Sequence, residues 1–315
     1  MTAPSHEFAH LPNWIVFLIP FARRLLHSPA LRSLRPLSRQ ALAVSRPPGR
    51  IFARWHPDSG IEDPHPESLT ILSANLWHDY PRFRELEARL EALALIVEQE
   101  GVDVLLLQEV ARTPQIKTDT WLADRLGFAS VYARANGHKN AIGFEEGLAV
   151  LSRHPLSRPQ VRQLSPASNP FARRIGLAAS IQTPFGSVNA VSAHLGFIPV
   201  QNAGQTSRLR RWVKQLSPHT PALIGGDFNA PEFMPHITRT QKEWIDLYRQ
   251  KRPKKKALSF EMRLPGGASW RARFDYLFLQ PAGKDWQVLD ARYLDPPIPY
   301  FSDHRPVLAK IALIP

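Results

Sequence analysis

The segment at residues 221–231, PALIGGDFNAP, places a carboxylate and an amide at the end of a short apolar strand. Its two glycines allow the backbone to turn without a Cβ clash. Alternate side chains of an extended backbone point the same way, so we expect Asp227 and Asn229 to share one face while Phe228 packs on the other. Such a pair can hold a phosphate and move a proton, but a polar turn with an Asx hydrogen bond explains the segment equally well.

Two other apolar strands lead to polar residues in the same way. Residues 69–76 predict a strand that ends near Asn75, and the near-continuous apolar run at 102–107, typical of a strand buried on both faces, leads to Glu109. An unpaired carboxylate there would be costly, so Glu109 predicts a compensating partner. That partner is either an arginine or a cation, since Glu109 and Asn75 offer oxygen ligands of the type that Mg²⁺ accepts.

Three more polar sites accompany strands in the second half of the chain. Asp275 lies within the alternating strand predicted at 273–279, where a free carboxylate needs a partner such as an imidazole. Asp303 and His304 form an acid–imidazole pair in the loop before the last strand, and His194 ends an apolar strand. Each is a weak signal alone, because a buried histidine is more often a satisfied core residue than a catalytic one.

Helical periodicity is clearest at residues 82–100, which place apolar side chains on one face and charges on the other and end before Gly101. Shorter or more basic helices are predicted at 119–126, 201–217 and 241–249.

The 315-residue chain contains no cysteine, which excludes disulfides, thiolate zinc sites and cysteine nucleophiles. Any metal must then sit on oxygen or imidazole ligands, which favours magnesium, manganese or calcium over structural zinc. The formal net charge of +13 attracts anions such as nucleic acid, anionic lipid headgroups or phosphorylated small molecules. Charge alone does not identify which of them the protein binds.

Residues 1–66 differ in composition from the rest of the chain. An apolar stretch at 11–21 is too short to span a bilayer and is interrupted by Pro20. Many arginines follow it. A segment of this kind either contacts an anionic membrane surface or forms a loosely ordered basic arm.

The prolines at 57–66 predict a linker. We therefore expect a basic arm and linker at 1–66, with peripheral membrane contact through residues 1–60 as one interpretation, and a folded domain at 67–315.

Seven segments in a fixed order, spread over about residues 68–315, resemble the endonuclease/exonuclease/phosphatase superfamily, which has the DNase I-like fold. They are SANLW at 73–77, LLLQEV at 105–110, GLAVLSRHPL at 147–156, VSAHLG at 191–196, GGDFNAP at 225–231, RFDYLFL at 273–279 and SDHRPVLAKI at 302–311. Each is weak alone, but all seven in the family's order are highly specific. The resemblance implies an α/β (α+β) four-layer sandwich: two packed sheets, mixed and mostly antiparallel, with helices outside.

The resemblance also implies metal-dependent hydrolysis of phosphate esters with Mg²⁺ or Mn²⁺ as cofactor. By motif match, Glu109 would ligate the metal, with Asn75 close by and Asp303 contributing at the same site.

The remaining matched residues would carry the chemistry. His304, oriented by Asp275, would contact the scissile phosphate and assist the attack of water. Asp227 would orient or deprotonate that water, or protonate the leaving group. Asn229 and His194 would stabilise the developing charge on the phosphate.

The substrate is less constrained. The His194-Leu195 motif differs from that of abasic-site endonucleases, which usually contain a tyrosine at this point. It is more similar to the motif of sphingomyelinases, DNase I-like nucleases and inositol-phosphate phosphatases. We therefore expect a nuclease or a phospholipid or inositol-phosphate hydrolase, acting on phosphodiesters or phosphomonoesters.

The lack of cysteine argues against a secreted, disulfide-bonded nuclease, so we expect a cytoplasmic protein. It would be peripheral at the membrane if residues 1–60 bind lipid. We also expect a monomer. A non-catalytic adaptor that binds anionic partners on the same scaffold is the alternative. The presence of all the motif residues disfavours it.

Overall fold

The computed structural model describes residues 51–54, 67–80, 82–138, 143–166, 173–263, 269–295 and 301–314. The predicted linker and nearly all of the predicted basic arm lie outside these residues, so membrane contact by the arm stays a prediction. None of the helices in these ranges combines the length and apolar character needed to cross a bilayer.

Strands outnumber helices in the described ranges. The strands are β1 (Ile51–Arg54), β2 (Leu69–Asn75), β3 (Val104–Arg112), β4 (Ala129–His138), β5 (Phe144–Ser152), β6 (Leu156–Gln163), β7 (Ile175–Thr183), β8 (Gly186–His194), β9 (Ala222–Asp227), β10 (Ile245–Asp246), β11 (Phe260–Arg263), β12 (Ser269–Ala272), β13 (Asp275–Gln280), β14 (Trp286–Tyr293) and β15 (Val307–Leu313). The helices are α1 (Leu86–Gln99), α2 (Thr118–Leu126), α3 (Pro199–Leu216), α4 (Pro235–Glu243) and α5 (Leu247–Lys251).

Two large sheets pack face to face. The first has the strand order β1-β4-β5-β3-β2-β15-β14 and the second β10-β13-β9-β8-β7-β6, while β11 and β12 form a separate hairpin. Among the described strands, β2 pairs with β3 and β8 with β9 in parallel, and the other pairs are antiparallel. Buried apolar side chains fill the space between the sheets, among them Ile71 and Leu106 from the first and Leu177 and Leu223 from the second.

Helices cover both outer faces. Leu90 of α1 packs in one buried cluster with Leu105 of the first sheet. Leu209 of α3 and Ile237 of α4 pack in another with Ile224 of the second sheet. This arrangement confirms the predicted four-layer sandwich.

Two predicted helices have different limits in the structure. The helix predicted at 82–100 begins at Leu86, because Phe83 and Glu85 have positive φ values of 49° and 48°, outside the right-handed helical region. The prediction of one helix at 241–249 was wrong in its extent. Trp244 has an extended backbone that ends α4, and β10 and α5 follow it.

One strand of the predicted arm belongs to the folded part of the chain. Residues Ile51–Arg54 form β1, which pairs antiparallel with β4 at the edge of the first sheet. Arg112 lies over the ring of Phe52, 4.5 Å from its centroid, and over that of Tyr132 at 3.9 Å. These cation–π contacts attach β1 to the sheet.

Candidate active site

Gly225 and Gly226 serve the packing of β9 and do not form the turn predicted for them. Both lie inside the strand. A Cβ on Gly226 would lie 2.0 Å from the carbonyl oxygen of Ala193 in β8, and one on Gly225 would lie 2.7 Å from Cδ1 of Leu106 in the other sheet. Glycine is therefore required because two neighbouring strands approach β9 closely.

The chain turns two residues later, at Asn229, which has a φ of 49°. Its N–H donates to Oδ1 of Asp227 at 2.8 Å, and its Nδ2 donates to Oδ2 at 3.0 Å. Phe228 is buried on the opposite side against Tyr276 and Phe278. The predicted grouping of Asp227 with Asn229 is therefore present, and an Asx turn rather than simple strand alternation produces it.

Glu109 lies within β3, in a β-bulge. The register of β3 against β5 shifts between Leu107 and Val110, and Glu109 has a φ of 53°. A bulge of this kind re-aims a side chain. Oε1 of Glu109 accepts a hydrogen bond from Nδ2 of Asn75 at 3.2 Å, and Oε2 lies 3.5 Å from Nε2 of His78. Within the described ranges no arginine forms an ion pair with Glu109, and the contacts of its carboxylate are with Asn75 and His78.

Asn75 connects the two sheets at this end of the sandwich. Its Nδ2 lies 3.3 Å from Oδ2 of Asp227 as well as near Glu109, and its Oδ1 accepts a hydrogen bond from the N–H of Trp77 at 3.0 Å. The ends of β2 and β9 and the bulge of β3 therefore meet in one place.

His304 and Asp275 form the buried acid–imidazole pair that the sequence predicted for Asp275. Nδ1 of His304 lies 2.8 Å from Oδ2 of Asp275. Burial alone would lower the pKa of His304, but the charge and hydrogen bond of Asp275, together with Asp227 and Asp303, raise it to about 10. These neighbours favour the imidazolium form of the ring, which has a second N–H to donate.

Asp227 and His194 are shifted toward their neutral forms. Burial, only partly opposed by the charge of His304, raises the pKa of Asp227 to about 7. Burial and the nearby charge of Arg174 lower the pKa of His194 well below its ordinary value. Nε2 of His194 lies 3.5 Å from Oδ2 of Asp227 and 3.3 Å from Nδ2 of Asn229. A carboxyl that titrates near neutral pH can both accept and release a proton.

Two groups of side chains could hold a cation. Ligand atoms of Asp227, Asp275 and His304 lie within 4.8 Å of one another. In that group, however, Asp275 and His304 already bind each other, and all three residues are buried. Mg²⁺ dehydrates reluctantly and needs room for water.

Glu109 and Asp303 suit a hydrated cation better. Desolvation raises the pKa of Asp303, and the charge of Glu109 raises it further against the opposing effect of His304. Two carboxylates that repel each other in this way concentrate negative charge that a divalent cation would offset. Both carboxylates offer the oxygen ligands that Mg²⁺ and Mn²⁺ prefer, and the amide of Asn75 lies beside Glu109.

Arg89 holds the two segments beside this carboxylate pair, and no motif pointed to it. It is buried, and its guanidinium donates to the carbonyl oxygens of Leu76 at 2.6 Å, Phe301 at 2.9 Å and Trp77. The available signal was a charged residue on the apolar face of a helix, three positions after Leu86. Arg89 therefore fixes the loops that follow Asn75 and precede Asp303.

A cavity of about 970 Å³ opens beside these residues. One wall contains predicted site residues: Glu109, His194, Asp227, Asn229 and His304. The lining also includes residues that were not predicted as site residues, among them Arg174, Phe197 and Phe233. Five predicted residues from distant segments thus line one cavity. Asn75 and Asp275 contact the lining residues Asp227 and His304, whereas Asp303 is exposed and is not part of the lining.

A double-sheet sandwich with acidic, amide and imidazole side chains gathered at one end defines the DNase I-like class of proteins. The chain belongs to the Endonuclease/Exonuclease/phosphatase family, whose model matches residues 72–304. A curated relative, the uncharacterised protein YbhP of Escherichia coli strain K12, is 27% identical over 177 residues, which are 51% of this chain and 67% of YbhP.

Solved structures with the same fold include two from Bacteroides. An endonuclease/exonuclease/phosphatase from Bacteroides vulgatus has a TM-score of 0.63 at 16% identity, covering 78% of this chain and 99% of its own. A mannosyl-6-phosphatase from Bacteroides thetaiotaomicron has a TM-score of 0.57 at 18% identity, covering 78% and 99%. At such identities these likenesses establish the fold alone. The family contains phosphodiesterases and phosphatases.

Proposed function

We propose that this protein is a divalent-metal-dependent phosphoesterase that hydrolyses phosphodiester or phosphomonoester bonds by attack of water. The observation that carries this proposal is that Glu109, Asp227 and His304, from three distant segments, line a single cavity. A phosphodiester is protected by its own negative charge, so a site that hydrolyses it must supply positive charge, hydrogen-bond donors and a proton acceptor together.

The donors belong to the imidazole and amide side chains. His304, held by Asp275, presents its second ring nitrogen to the phosphate. Asn229 lies next to His194, and its amide would turn from its bonds to Leu195 and Asp227 to donate to the phosphate. These groups stabilise the charge that develops on the phosphoryl oxygens.

Asp227 is placed for proton transfer. Its Oδ1 is held by the N–H of Asn229 and its Oδ2 by the amide groups of Asn75 and Asn229. Fixed in this way at the cavity wall, the carboxylate orients a water molecule and takes its proton, or protonates the leaving group.

Glu109 and Asp303, with Asn75, would hold Mg²⁺ or Mn²⁺. A cation bound there would act as a Lewis acid that withdraws charge from a phosphoryl oxygen. Arg89 and the bulge at Glu109 keep these ligands in position.

Hydrolysis of bis-p-nitrophenyl phosphate by the full chain tests the proposal. We expect turnover with Mg²⁺ or Mn²⁺ and none with EDTA. Asp227→Asn and His304→Ala should each reduce turnover by at least ~10²-fold, with circular dichroism unchanged. Asp290→Asn, in β14 away from the cavity, is the control. Rates close to wild type in both variants, or no metal-dependent turnover, would refute the assignment.

A further inference from the structure

The cavity has an apolar rim made of Phe197, Ile198, Val200 and Phe233. These four are 73%, 45%, 84% and 79% exposed, and they are four of the seven large hydrophobic side chains exposed within the described ranges. Phe197 and Phe233 line the cavity itself. Single exposed apolar residues are ordinary, but several gathered at one opening mark a binding surface.

The rim is held rigidly against the candidate active site. Buried Asn202, in α3, donates from Nδ2 to the carbonyl oxygen of Gly196 at 2.5 Å and to that of Phe228 at 2.6 Å. One side chain therefore joins the segment before Phe197 to the segment before Phe233. Whatever contacts the rim is thereby placed at a fixed position relative to the active-site residues.

Cationic side chains accompany the rim. Arg174, Arg271 and Lys256 line the same cavity, and Lys254 and Lys255 are exposed next to Lys256. Apolar side chains beside lysines and arginines fit the boundary between the acyl chains and the headgroups of an anionic membrane.

Only Phe197 and Phe233 of the rim offer rings on which bases could stack. Proteins that bind single strands stack bases on aromatic rings. Ile198 and Val200 have no ring, and Val200 is the most exposed member of the rim.

We propose that the apolar rim docks onto an anionic phospholipid membrane and that the phosphate ester that enters the cavity belongs to a phospholipid. The identity of the substrate rests on the proposed hydrolase function, whereas the docking does not.

The absence of cysteine makes a site-specific test simple, because an introduced cysteine is the only thiol in the chain. Phe233→Cys, in the rim, and Leu95→Cys, on the exposed face of α1, are each labelled with the environment-sensitive fluorophore NBD. With vesicles of phosphatidylcholine and about 30% phosphatidylglycerol, we expect a blue shift and increased emission at position 233 and neither at 95. Because each probe reports only its own surroundings, membrane contact through residues 1–60 would not reproduce this result.

Other outcomes overturn the proposal. Equal responses at both positions, or none at 233, would refute docking through the rim. A blue shift at 233 with a single-stranded oligonucleotide and none with vesicles would assign the surface to nucleic acid instead.

Two further measurements separate docking from catalysis. Val200→Ser should reduce the vesicle-bound fraction of the full chain about fivefold, whereas Leu95→Ser should leave it unchanged; equal binding by both would count against the rim. Vesicle binding by a protein that does not hydrolyse bis-p-nitrophenyl phosphate would support docking and refute the hydrolase function. Hydrolysis without a vesicle response would refute docking alone.

Discussion

Nδ1 of His304 lies 2.8 Å from Oδ2 of Asp275, and Asp275 is the direct cross-strand partner of Asp227. The pairing of β13 with β9 therefore sets the position of His304 relative to Asp227. The charge of Asp275 and its hydrogen bond favour the imidazolium form of His304 against the effect of burial.

Asp275→Asn should reduce the turnover of bis-p-nitrophenyl phosphate by at least ~10²-fold, because an amide cannot compensate the imidazolium charge of His304. Since the two residues act as a unit, the double variant Asp275→Asn with His304→Ala should lose no more activity than His304→Ala alone. Asp290→Asn is the matched control. Losses that multiply in the double variant would show that the residues act independently.

Glu109→Gln and Asp303→Asn should each weaken metal binding about tenfold or more, because each removes a charged oxygen ligand. The readout is the concentration of Mg²⁺ or Mn²⁺ needed to raise the thermal unfolding temperature, which requires no substrate. Glu91→Gln, on the outer side of α1, should leave that concentration unchanged. If the metal response of both site variants matched wild type, the cation would have to sit elsewhere.

Arg89→Met should lower the unfolding temperature and weaken metal binding. The substitution leaves buried carbonyl oxygens without donors, at about 1–3 kcal/mol each, and frees the loops beside Asn75 and Asp303. Arg82→Met, at an exposed position of the preceding turn, is the control. A purely structural role predicts a lower unfolding temperature with the metal response intact, and that outcome would exclude a positioning role for Arg89.

The contribution of Glu232 to stability should disappear in acid. Burial would raise the pKa of this carboxyl, but the hydrogen bond from Arg249 and the charge of Arg273 outweigh it and hold the pKa below its ordinary value of 4.5. A carboxyl lowered in the folded state stabilises the protein fully above its unfolded pKa, and this stabilisation is lost as pH falls through the folded value.

The difference in unfolding temperature between wild type and Glu232→Gln should therefore be largest near neutral pH and shrink below about pH 4.5. Differential scanning fluorimetry across this range measures it. Glu67→Gln, at an exposed carboxyl, serves as the control. A difference that stays constant with pH would mean that the ion pairs of Glu232 do not titrate as described.

Much of the candidate site could be predicted from local patterns in the sequence. The apolar strands around Asn75 and Asp227 and the helix after residue 82 are visible because side-chain periodicity follows directly from backbone geometry. The need of Asp275 for a partner followed from the cost of burying a free carboxylate, and an imidazole was one candidate. The order of the seven motifs then indicated the family and the fold.

The sequence by itself therefore determined the strands, the family and the residue types at the candidate site. Tertiary structure alone decided how they meet. Position 226 must be glycine because the neighbouring strand β8 approaches it closely, and a β-bulge orients the side chain of Glu109. Tertiary structure also decided the role of Arg89, because its hydrogen-bond acceptors are carbonyl groups distant in the sequence. It likewise decided that Phe233 is exposed, because no other segment packs over this side chain within the described ranges. Periodicity describes a single segment, whereas these features depend on distances between segments that only packing defines.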